Sequence, residues 1–361
     1  MATVLKSKPT TVTVSTSSLQ VTAGALASGS FQNFEQASLS ARTPHPTSNI
    51  ACDVTEDGSQ YVGHPAIDWA AKGCYDPVTR KVMWASCGAG NLRSGGYVFN
   101  TQAIYSEQTN AWTVRRAFQA PGSAGSTPIG HMYDNNCIHV EGRRLYKKSF
   151  SNAEILEFDL DADAWLGTFP SPTDEAAYAR DGGMDVVPTR GARGALWLVS
   201  RRRSDNWPPL WEYDLAKRQW FVLLQGGEFG APSSNSALLS YNPRAFGGIG
   251  GAFVGTGAGA WTVRADTLAV RSIAPAPAPL SLPHTGHLCR DPAGQGWLLA
   301  GADGRMYSCD GNAWTERGRL PGVLAVSNHK RPVVMVPIDA YGVVWIITEQ
   351  NGAARAWLFK P

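Results

Sequence analysis

The chain has 361 residues, of which 17% are charged, with 38 glycines and 13 tryptophans and a formal net charge of +3. That charge is too mild to argue for nucleic acid, and no apolar run is long enough for a membrane span. The start, MATVLKSKPTTVTVSTSS, lacks the apolar core of a Sec signal peptide. What remains is a glycine- and tryptophan-rich sheet protein with many tight turns and no long amphipathic helix.

Residues 1–30 are poor in large apolar side chains and rich in Ser and Thr. Within them Thr10 to Thr22 (TTVTVSTSSLQVT) holds two short alternating pieces, Val12/Val14 and Leu19/Val21, out of phase with each other. Such a segment has no core of its own, so it is expected to be an extended arm. It would add a strand to a neighbouring subunit.

Next comes Phe34 to Pro46 (FEQASLSARTPHP), which has the shape of the outer strands found later in the chain. From there an echo runs to residue 361. An aromatic sits inside a short apolar run at Trp84, Tyr146, Trp197, Phe253, Trp297 and Trp345, in steps of 62, 51, 56, 44 and 48 residues. A period near fifty carried by short strands points to a β-propeller. A second echo runs from an aromatic through turn-forming residues to a Trp seven positions on. It reads YSEQTNAW (Tyr105 to Trp112), FDLDADAW (Phe158 to Trp165), YDLAKRQW (Tyr213 to Trp220) and YSCDGNAW (Tyr307 to Trp314). Val263 to Val270 is a degraded copy. Each reads as a hairpin joining the third and fourth strands of a blade, C and D.

On these motifs, together with YDPVTRKVMWASCGAG (Tyr75 to Gly90), residues 47–361 resemble the kelch-repeat family. The usual glycine pair after the second strand is mostly missing, as in SCGAG and AGADG. The resemblance implies an all-β, six-bladed kelch-like propeller over residues 31–361, with 1–30 as the arm. The sixth blade has its B strand at Trp345 and a C strand at Ala354 to Phe359, and its D strand would begin near residue 362. Sheets avoid open edges, so residues near 32–42 are expected to complete that blade.

Local motifs for chemistry are sparse. His284 and His287 form HTGH, and His131 and His287 fall early in inner strands, where a polar channel lining is expected rather than a metal site. SCDGNAW is one residue short of a sialidase Asp box. No G-x-S-x-G, H-E-x-x-H or Walker loop occurs. No catalytic residue, metal site or cofactor is therefore expected, and the six cysteines are expected to be buried free thiols.

In a propeller the B–C and D–A loops share one face, and the longest insertions here fall on it. They place Arg93, Arg201, Arg202, Arg203, Asp205 and Trp207 as binding candidates, suited to planar or anionic groups. The resulting expectation is a non-enzymatic structural or assembly component, such as a phage tail or head appendage in a virion or a cytoplasmic assembly. It would be held by residues 1–30 and could meet a glycan or surface receptor. The alternatives are a glycan- or protein-binding module and a kelch-type sugar-modifying enzyme of mutarotase or oxidase kind.

Overall fold

The computed structural model describes residues 17–34, 72–88, 98–116, 134–148, 154–172, 182–199, 209–225, 227–229, 237–256, 259–275, 286–301, 304–320, 333–350 and 353–361. They form six four-stranded antiparallel sheets, the blades of a six-bladed β-propeller. In the first five, chain order is sheet order, A to D from the axis outward. The A strands are Cys74–Asp76, Asn136–His139, Gly183–Val187, Leu238–Asn242, Gly286–Arg290 and Val333–Ile338.

The periodic aromatics lie in the B strands and are at most 3% exposed. Around them the buried apolar residues divide into six clusters, each spanning two neighbouring blades. Packing blade on blade, rather than filling one central core, is what requires a large aromatic every fifty residues.

The hairpins follow from their turn residues. Asp76, Asp159 and Asp214 each accept two backbone N–H groups two and three residues on, closing a four-residue loop. The last loop residue is left-handed at Arg80, Asn110, Arg143, Asp163 and Arg218, with φ between 53° and 56°, and in the 265–269 loop it is the one before last, Leu268, at 59°. The expected aromatic-to-Trp pairing is present as Tyr105 opposite Trp112, Phe158 opposite Trp165 and Tyr213 opposite Trp220. Blade five departs from it: Cys309, not Tyr307, lies opposite Trp314. There Asp310 caps Asn312 and Ala313, and the left-handed residue is Gly311. The turn has slid one residue along the hairpin.

The sixth sheet is closed by the strand Phe31–Asn33 against Ala353–Phe359, with Phe31 opposite Phe359. This confirms the expected closure. The paired strand is three residues long; residues 35–42 of the expected stretch lie outside the described residues. Gly29 N–H donates to Lys360 O at 2.7 Å, and Ser28 Oγ donates to Pro361 O at 2.7 Å.

The strand expected around Leu19 and Val21 is instead a helix, Ser18–Ala25. Ser17 stands at its N-cap and accepts from Gln20 N–H at 3.0 Å. The apolar spacing that governs is Leu19, Ala23 and Leu26, one helical face. These three are buried with Trp84, Tyr105 and Trp345 in the seam between blades six and one. Glu107 ties the seam on its polar side. Its carboxylate accepts from Ser17 Oγ, from Arg80 Nη2 at 2.5 Å, from Tyr75 OH at 2.8 Å and from Tyr341 OH at 2.7 Å. Burial alone would raise its pKa, but these donors hold it below the ordinary carboxylate value. Residues 17–30, expected to lie free of the propeller, are therefore packed on it, whereas residues 1–16 lie outside the described residues.

Candidate functional site in the axial channel

The six A strands surround the axis with their backbone edges, so the bore is set by what their first residues carry. Two glycines let neighbouring strands close in. A Cβ on Gly73 would stand 2.6 Å from Val336 Cγ2, and one on Gly183 would stand 2.4 Å from Leu239 N. Just before Gly73, Lys72 bridges in parallel to Met335 of blade six. From there its side chain crosses to blades three and four. Nζ donates to Met184 O at 2.9 Å, Asp185 Oδ2 at 2.8 Å and Leu239 O at 3.0 Å, which uses all three ammonium protons. Asp134 Oδ1 lies 3.9 Å from the same nitrogen, and Asp134 Oδ2 accepts from Leu239 N–H at 2.6 Å.

The electrostatics of this cluster follow from its burial. Desolvation works against the Lys72 charge, but Asp134 and Asp185 outweigh it and the pKa is raised. Asp134 is pushed up to about 7 by burial, with Lys72 and the Leu239 N–H opposing. Lys72 is thus a fixed cation, unsuited to act as an amine nucleophile, and Asp134 is the member that exchanges a proton near neutrality.

Lys72 forms the floor of a cup. A cavity of about 190 Å³ is lined from all six blades by Cys74, Cys137, Asp185, Tyr241, Arg290 and Pro337, among others. The further lining comes from A–B turns, including Pro77, Pro188, Pro243 and Ala340, so the cup opens on the A–B and C–D face. Proline fixes its own φ, which stiffens this rim. Burial pushes the Cys74 thiol up to about 12 and raises those of Cys137 and Cys289 as well. At neutral pH these are neutral, weakly polar walls rather than thiolate nucleophiles. At the mouth Arg290 Nε donates to Asp339 Oδ1 at 3.2 Å, and Arg244 Nη1 lies 3.5 Å from Asp339 Oδ2.

Arg93, Arg201, Arg202, Arg203, Asp205 and Trp207 lie outside the described residues, as do His131 and His284. His287 is buried at 4% exposure, away from any set of three metal-ligating groups among the described residues. Cys74, Cys137, Cys289 and Cys309 are free and buried, as expected. The sequence reading had placed binding on the B–C and D–A face; the cavity described here opens on the opposite one. It also missed Lys72, Asp134 and Asp185. A signal was present, since each stands twelve residues before the B-strand aromatic of its own blade, at 84, 146 and 197.

No family model matches the chain, and no curated protein matches it. Among solved structures it is similar to one titled as a nidogen/laminin complex, at 12% identity and a TM-score of 0.45, covering 72% of this chain and 86% of that one. It is also similar to a luciferin-regenerating enzyme, at 8% identity and a TM-score of 0.49, covering 92% of this chain and 95% of that one. At such identities the likeness is one of fold, and kelch membership finds no support in it. The expectation that the chain is not an enzyme is withdrawn, since absent local motifs do not exclude catalysis; one of the structures it is similar to is titled as an enzyme. No helix among the described residues is long and apolar enough to cross a membrane.

Proposed function

We propose that this propeller binds a small molecule in its axial cup, entering from the A–B face. The sequence left open a glycan- or protein-binding module on the opposite face; a small-molecule site in the cup differs from it in ligand and in face. The observation that carries it is the cup itself: Lys72, with all its protons engaged, lines its floor, and A–B turns with prolines build its rim. A volume of about 190 Å³ corresponds to roughly six waters, or to one benzene-sized group. An assembly role for residues 1–30 is less favoured, because 17–30 are engaged by the protein's own ring.

Isothermal titration with three single-ring probes, phenol, benzamide and benzoate, tests the cup. At least one is expected to bind with one-to-one stoichiometry, and Ala340→Trp should abolish that binding. Ala340 is an exposed lip residue, so the indole narrows the mouth without entering the packed interior. If no probe binds, or if binding survives both Ala340→Trp and Val140→Trp, the cup is not a ligand site.

A further inference from the structure

We infer that the ligand of the axial cup carries a single planar anionic group, a carboxylate, held at the mouth by Arg290 with Arg244 beside it. This rests on the cup being the binding site.

Three observations on the mouth carry the inference. The first is charge stoichiometry. Arg290 and Arg244 share one carboxylate, Asp339, at 3.2 and 3.5 Å, which leaves one positive charge in excess. Glu141 also lines the mouth, and its carboxylate, 3.7 Å from the neutral His139, has no cation to match it among the described residues; its side chain is 72% exposed, so the positive excess is local to Arg290, Arg244 and Asp339. Burial holds the His139 pKa below its ordinary value, so it adds no cation at neutral pH.

The second is unused donor capacity. Arg290 engages Asp339 through Nε, and among the described residues neither of its Nη groups has an acceptor. Its side chain lines the cup and is 26% exposed, so a ligand entering the mouth can reach it. Arg244 Nη1 is shielded from solvent and has no hydrogen-bond acceptor among the described residues. The Arg244 side chain is 40% exposed and its ion pair with Asp339 is long, at 3.5 Å, so a second carboxylate would give this donor a closer acceptor. The guanidinium fork matches that planar, two-oxygen geometry.

The third is the wall below. The floor charges are already matched, Lys72 with Asp185 and Asp134. The sides are Cys74, Cys137, Cys289, Tyr241 and proline, which suit a compact apolar body and not a second charge. A ligand with its charge at one end and its apolar part at the other fits this gradient from lip to floor: a small monocarboxylic acid.

The test compares benzoate with its neutral isostere benzamide by isothermal titration at low salt. Benzoate is expected to bind at least about tenfold more tightly, the order expected of a charge-assisted bidentate contact. Arg290→Gln should bring the benzoate-to-benzamide affinity ratio close to one. Asp339→Asn removes the internal competitor, so it should raise that ratio above the wild-type value, a gain that partial unfolding cannot mimic. Equal affinities for the two probes, both abolished by Ala340→Trp, would leave the cup as a binding site and overturn the carboxylate. So would a benzoate-to-benzamide ratio unchanged in both Arg290→Gln and Asp339→Asn, or a preference for benzylamine. Failure of every ring probe would overturn the cup itself.

Discussion

Leu19→Ala should destabilise the ring although residue 19 lies in a segment with no strand of its own. Leu19 is fully buried in the seam cluster with Trp84, Tyr105 and Trp345, packed from both flanking blades. A seam walled by tryptophans and strands collapses poorly around a lost side chain, so the cost should fall in the range of about 2 to 5 kcal/mol found for buried Leu→Ala changes. Unfolding entropy of about 2.1 cal/mol/K per residue gives roughly 0.76 kcal/mol/K for this chain, so the melting temperature should fall by roughly 3 to 7 °C. Circular dichroism melts of wild type, Leu19→Ala and Val21→Ala make the comparison. Val21 is on the same helix but 59% exposed, and its substitution should change stability by less than about 0.5 kcal/mol. Equal melting temperatures for Leu19→Ala and Val21→Ala would refute the docked helix.

Two further outcomes follow from the axial cluster. Asp134, with its folded pKa raised to about 7, binds more protons folded than unfolded between its ordinary value and neutrality. Its contribution to stability is therefore full at low pH and lost as pH rises through about 7. His139, with a lowered pKa, works in the opposite direction, so the informative quantity is a difference: from about pH 5 to about pH 8 wild type should lose melting temperature relative to Asp134→Asn. Parallel curves would count against a proton on Asp134. Lys72→Met should cost about 3 to 5 kcal/mol, because it leaves buried carboxylates without their cation. Adding Asp134→Asn should recover part of that loss in urea unfolding, and strictly additive effects would show that the two residues do not interact.

How much of this was legible depends on whether a signal repeats. The B-strand aromatics recur at a period near fifty and the aromatic-to-Trp hairpins follow them, and together they located all six blades. The N-terminal helix does not repeat. Its apolar residues are few, and Leu19 with Val21 mimics a strand; only Leu19, Ala23 and Leu26 taken together with a serine cap reveal the helical period. The axial cluster was hidden differently. Lys72, Asp134 and Asp185 share a phase, but they differ in residue type, and a lysine with two aspartates matches no short motif. Blade five shows the limit of phase itself: YSCDGNAW keeps the seven-residue spacing, yet its turn closes one residue later because Gly311 supplies the left-handed position.

The clasp between Phe31–Asn33 and Ala353–Phe359 sets an order on the birth of the molecule. Its two halves are separated by 359 − 31 = 328 positions, and closing so large a loop costs about 5 kcal/mol in chain entropy. On a ribosome, Phe31 and the helix before it emerge first and find their seat last, after every blade has formed. Until then blade one exposes Trp84 and Tyr105 on one side of the gap, and blade six has yet to bring Trp345 to the other. An arc of finished blades with an unfilled flank is the species at risk of joining a second chain, by domain swapping across that seam. Moving the cut by circular permutation to a connection between intact blades would relieve that wait, since each blade would then be made whole as it emerges.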